Sequence, residues 1–214
     1  MKTHEFSDNP EFQRRMAAFR EKFEKQMAVA KKSSFDKLLP FLVSLGTEGE
    51  RSAVVLGAER ANVAVEALLK AFLLPPPNKT DRLFSSDGAL GTFSKKVELA
   101  YRLGLIDLPF KQALDIVRSL RNEFAHATTV ETLKEQSHAD KVKALAKLIS
   151  NGSQRMLADM EDVFRTAGGS GEQAATYLGC IMVLLLKLEL VQHFIERPDI
   201  KLSAKLNYNE QESE

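Results

Sequence analysis

From Tyr177 to Leu186 the chain carries no charged side chain, and a helix that is apolar on every side has to be wrapped by other elements. Lys187 and Glu189 interrupt the run well short of the ~20 apolar residues that span a bilayer. The reading is therefore a core helix, with no membrane contact expected. A chain of 214 residues, 44% of them hydrophobic, can bury such a core as one domain without disulfides or metals. Cys180, the single cysteine, lies inside the apolar run; it has no partner for an internal bridge and reads as a small buried hydrophobe. A reducing, cytoplasmic home is the expectation. Met1 to Glu5 supports it, leading into a charged segment rather than the apolar stretch of a secretory signal.

The surrounding elements are read as helices, because apolar residues recur at spacings of three and four rather than two. Asn9 and Pro10 open an amphipathic N-terminal helix over 10–32, striped by Phe12, Met16, Phe19, Phe23, Met27 and Ala30. That stripe suits either the protein's own core or a partner. Further helices are expected over about 34–45, 48–74, 89–103, 109–126, 131–149, 153–167 and from about 170 to 196. Pro75, Pro76 and Pro77 stop the helix over 48–74. Thr92 is a candidate cap and Gly104 a candidate terminator, while Ser170 with Gln173 forms a capping-box pattern. The fold class expected is all-α, a multi-helix bundle making a single helical domain over 1–206, with a disordered acidic tail over 207–214.

Thirty Lys and Arg against 29 Asp and Glu offer duplex DNA no global attraction. Locally the balance differs. Residues 82–121 hold Arg82, Lys95, Lys96, Arg102, Lys111, Arg118 and Arg121 against Asp87, Glu98, Asp107 and Asp115, an excess of three positive charges. Such a surface suits RNA or phosphate, or is simply a solvated helical face.

Within it, the helix over 109–126 buries Phe110, Ala113, Val117, Leu120 and Phe124 on one arc. Arg118, Asn122 and His126 follow at i, i+4 and i+8, with Arg121 between that stripe and the apolar arc. On the helix over 48–74, Glu59, Asn62 and Glu66 share a face opposite the core stripe of Val54, Ala58, Ala61, Val65, Leu68 and Phe72. An arginine fork grips phosphate oxygens and a histidine can donate or accept a proton, which together suffice for metal-free cleavage of RNA. Arg121 and His126, however, stand about 140° apart around a helix. Chemistry at one atom would need a second copy of the helix or a distorted helix end. The competing reading is structural: histidine in a last turn serves terminal carbonyls, and arginine pairs with Glu59 or Glu66 on the neighbouring helix.

His4, His138 and His193 are scattered and Cys180 has no paired ligand, so neither a metal nor a cofactor is expected. A phosphate-cradling glycine loop and a nucleophile elbow are both missing from the sequence.

The run Arg121-Asn122-Glu123-Phe124-Ala125-His126 resembles the Arg-Asn-x-x-x-His signature of the HEPN superfamily, all-α proteins that include metal-independent ribonucleases working as dimers. A longer pattern is more specific. Glu59 to Asn62, then Gly88-Ala89-Leu90-Gly91-Thr92-Phe93 onward to Ile106, then Arg118 to His126, looks like the mannitol operon repressor family over about residues 50–130. Residues 131–197 read as additional helices outside the resemblance. It implies a HEPN-like core, candidate catalytic roles for Arg121 and His126 with Asn122 beside them, and a homodimer. Arg118, Lys95 and Lys96 are the candidate substrate or anion contacts, with Glu59, Asn62 and Glu66 in support.

The family name implies transcriptional repression, yet no helix-turn-helix with a basic recognition helix is legible. The leading expectation is a regulatory protein, not an enzyme, working through a protein or RNA partner rather than direct operator binding. The alternatives are a metal-independent endoribonuclease and a nucleotide or anion binder without turnover.

Overall fold

A computed structural model of the chain describes Lys25, Ala28, and residues 32, 33, 35–45, 49–76, 81–127, 132–166 and 171–195. Every regular element among them is an α-helix and none is a strand, as the spacing of apolar residues predicts. The N-terminal helix expected over 10–32 lies outside the described residues except for Lys25, Ala28 and Lys32, which are helical, and the tail over 207–214 lies outside them entirely.

Helical residues 35–45 (α1) are followed by α2, Glu50–Phe72, α3, Phe93–Arg102, and α4, Leu108–His126. Then come α5, Gln136–Ser150, α6, Gln154–Thr166, and α7, Glu172–Phe194. Contacts close a ring in which α2 touches α4, α4 touches α5, α5 touches α7 and α7 touches α2. This is a four-helix core. α3 bridges α2 and α4, α6 packs on α5 and α7, and α1 presents Leu38, Leu42 and Leu45, at most 1% exposed, to the same apolar cluster.

The apolar run sits in α7, buried from Tyr177 to Leu186. The helix around it is 23 residues long, enough in length and apolar character to cross a membrane, whereas the run alone is far too short. Most of its apolar surface is taken up by neighbouring helices. The Tyr177 hydroxyl donates to the carbonyl of Val54 at 3.1 Å, so the polar tip of this fully buried side chain is satisfied where α7 lies on α2. Cys180 is fully buried and free, and burial, with a smaller contribution from Glu161, pushes its thiol up.

Helix ends mostly follow the expected signals. The Asp107 carboxylate accepts from the backbone of Phe110 at 2.9 Å, and Pro109 occupies the first turn of α4. Gly104, at φ +72°, donates to Tyr101 while Leu105 donates to Ala100, both at 2.9 Å. That pair of bonds terminates α3 in a left-handed turn.

Several boundaries differ. α3 begins at Phe93 rather than 89, because residues 82–91 fold on themselves through Leu90 N–H to Leu83 and Gly88 N–H to Ser85, both 2.8 Å. A Cβ on Gly88 would stand 2.2 Å from the Arg82 carbonyl and one on Gly91 2.4 Å from that of Ser85, so only glycine permits this loop. α5 begins at Gln136 rather than 131, since Leu133 N–H is captured by the Glu50 carboxylate at 2.7 Å. α7 begins at Glu172 with Gly171 in the cap position and no side-chain cap bond; Ser170 lies outside the described residues.

Candidate functional site

Ala113, Leu114, Val117, Leu120 and Phe124 turn α4 toward the core, which leaves its two polar flanks facing different neighbours. One flank looks toward α2 and α3. There Arg118, Arg121 and Asn122 line a cleft of about 360 Å³ with Ala58, Glu59 and Asn62 of α2 and Gly91, Thr92, Phe93 and Ser94 at the start of α3. Thr92 is the α3 cap, its hydroxyl accepting from Lys95 N–H at 3.4 Å. The first turn of α3 thus brings spare backbone N–H groups and the positive end of the helix dipole to the cleft.

Arg121 donates to the Asn122 side-chain oxygen at 3.2 Å and pairs with no carboxylate among the described residues. Arg118 reaches Asp115 at 3.6 Å, and its Nε is buried with no hydrogen-bond partner. Sequence reasoning offered Glu59 or Glu66 as arginine partners, and the structure uses neither. Glu59 accepts from Asn62 at 3.0 Å, while Glu66 accepts from Lys70 and Lys96, each at 2.6 Å. Burial works against the Glu66 carboxylate, yet hydrogen bonds from Lys70 and Lys96 and their charges outweigh it and hold Glu66 below the usual carboxylate range.

The remaining candidates separate. Lys96 is 4% exposed and donates to Glu66 and, at 3.0 Å, to Asn62; its ammonium is spent inside the protein rather than offered to an anion. Lys95 is exposed, and neither lysine lines the cleft. His126 is exposed in the last turn of α4 and is also absent from the cleft lining. Its expected structural role at the helix end falls partly to Arg51, which donates to the Ala125 carbonyl at 3.4 Å.

The other flank of α4 meets α5. Glu123 accepts from Ser119 at 2.9 Å and from Lys141, and stands 3.3 Å from His138 Nε2. His138 is 4% exposed, its Nδ1 2.8 Å from the Thr132 carbonyl and its ring 5.1 Å from that of Phe124. Burial raises the Glu123 carboxyl, but hydrogen bonds from Lys141 and Ser119 and the nearby positive charges prevail and lower it. Glu123, inside the distinctive hexapeptide, is therefore a clasp between α4 and α5.

Within 82–121, Lys111 binds Asp115 at 2.9 Å and Glu98 at 3.5 Å, and Arg102 reaches Glu98 at 4.0 Å, while of the basic excess Lys96 is taken up by Glu66 from outside the segment. Among the described residues no group of three or more His, Cys, Asp or Glu is arranged to hold a metal. Thr92, Phe93 and Ser94 were missed as site residues. The cap signature at Thr92 marks a helix start; nothing in the sequence says that this start abuts Arg118 and Arg121.

The cleft can therefore take an anion at its arginine wall: guanidinium donors, an amide, hydroxyls and a helix N-terminus converge there, with the Glu59 carboxylate on the facing wall and His126 outside the lining. No family model matches the chain, and no curated protein or solved structure matches it.

Proposed function

We propose that the chain is a regulatory binding protein of the mannitol operon repressor type, HEPN-like in its core, whose α2–α3–α4 cleft takes a phosphate group without turning it over. The observation that carries this reading is the convergence of Arg118, Arg121 and Asn122 on one cleft while His126 lies outside it. A phosphate there meets the Arg121 guanidinium, which pairs with no carboxylate among the described residues. Regulation runs through a protein or RNA partner, because the balanced charge gives operator DNA little hold. On this reading the protein is a cytoplasmic homodimer; exposed Leu56 and Val63, two turns apart on α2, supply an apolar surface for self-association.

The test is titration of the full chain with inorganic phosphate and short RNA. Arg121→Gln is expected to weaken both by roughly tenfold or more, the scale of one charge-assisted hydrogen bond. A tight, sequence-specific operator complex formed by the protein alone would overturn the partner-mediated part.

The second reading is a metal-independent endoribonuclease with Arg121, Asn122 and His126. Exposure of His126 at the end of α4 favours it, since a second chain can reach that imidazole. It predicts EDTA-resistant cleavage to 2′,3′-cyclic phosphate ends.

A further inference from the structure

The cleft has two walls of opposite character. Arg118 and Arg121 occupy the α4 wall, and Glu59 with Asn62 the α2 wall. Opposed charges lining one cleft could pair across it, yet neither arginine meets Glu59 among the described residues. Glu59 is held elsewhere, by a chain of hydrogen bonds that begins at a buried lysine.

Lys96 can only donate, so the Asn62 oxygen must face it, at 3.0 Å. That orientation directs the Asn62 amide hydrogens to Glu59 Oε1, also at 3.0 Å. Glu66, 2.6 Å from Lys96, anchors the far end. The chain has one polarity, and its outcome is fixed: Glu59 stands at the cleft as an acceptor, with its second oxygen unpartnered among the described residues. A bare anion gains at the arginine wall and is repelled by Glu59. A molecule that carries an anion at one end and hydroxyl donors at the other satisfies both walls.

We infer that the ligand of this cleft is a small hydroxyl-bearing phosphomonoester, its phosphate on Arg118, Arg121 and Ser94 and its hydroxyls on Glu59. This rests on the reading that the cleft binds phosphate. Glu59 is then the specificity-determining residue, and Lys96 and Asn62 position it. The shared chemistry, a phosphate beside sugar-type hydroxyls, has two sources: a free sugar phosphate and the ribose phosphate of a mononucleotide.

Calorimetric titration of the full chain with four probes tests it: inorganic phosphate, cyclohexyl phosphate (a ring ester without hydroxyls), a hexose phosphate and adenosine monophosphate. Wild type is expected to bind at least one hydroxylated ester about tenfold tighter than cyclohexyl phosphate, the scale of a hydrogen bond to a charged acceptor. Whichever of the two is preferred identifies the source. Glu59→Ala, at an exposed position where folding is not at stake, is expected to abolish that preference and to strengthen inorganic phosphate binding. Equal binding of cyclohexyl and hydroxylated esters by wild type, or an undiminished preference in Glu59→Ala, overturns the inference while the phosphate reading stands. If none of the four binds, both fall.

Discussion

The two polar flanks of α4 carry residues of opposite charge and meet different neighbours. On the α5 side, Ser119 and Glu123 meet Lys141 and His138. Donors there find acceptors, and the result is adhesion between helices. On the α2 and α3 side, Arg118, Arg121 and Asn122 line a cleft, and Arg121 pairs with no carboxylate among the described residues. Saturation on one side and unspent donors on the other separate a clasp from an open cleft.

The largest loss is expected in the core beneath both flanks. Phe124 is fully buried and lies against His138, so Phe124→Ala is expected to cost about 3–5 kcal/mol, read as a lower urea midpoint, with clasp and cleft lost together. A smaller loss confined to the clasp is expected from Glu123→Gln. It weakens the ion pair to Lys141 and the contact to the buried His138, costing about 1–2 kcal/mol, and should leave phosphate affinity unchanged.

The carboxylates sharpen the contrast further through pH. Glu66 and Glu123 both ionise below the ordinary range in the folded chain, so the unfolded chain binds more protons in that interval. Their contribution is present above the unfolded Glu value and is lost as pH falls through the lowered folded values. Urea midpoints measured from neutral to acid pH should therefore drop, and Glu66→Gln should flatten the slope. The smallest effect is expected at His126: His126→Ala should change stability by no more than about 0.5 kcal/mol and leave phosphate affinity as it was. If it instead abolishes EDTA-resistant RNA cleavage by the wild type, the ribonuclease reading replaces the binding one.

Much of this was legible before the fold. The core helix at Tyr177 to Leu186, the Thr92 cap and the Gly104 stop of α3 are local signals, because capping, left-handed turns and apolar periodicity act within a few residues. Lys96 shows the limit. As a sequence letter it belongs with Lys95 in a basic patch, but one residue along a helix is a 100° turn, which sends Lys96 inward to Glu66 and Asn62 and leaves Lys95 in water. His138 shows the same from the other side: it looked scattered, until packing of α5 on α4 put it on Glu123.

The hexapeptide marks where these two kinds of information part. Its helical register, and hence the 140° between Arg121 and His126, is intrinsic to any α-helix through those residues. The spending of Glu123 on α5, the presentation of Arg121 to a cleft beside the start of α3 and the exposure of His126 depend on partners tens of residues away in the chain. Only packing decides them, because hydrogen bonds and burial are properties of neighbours in space.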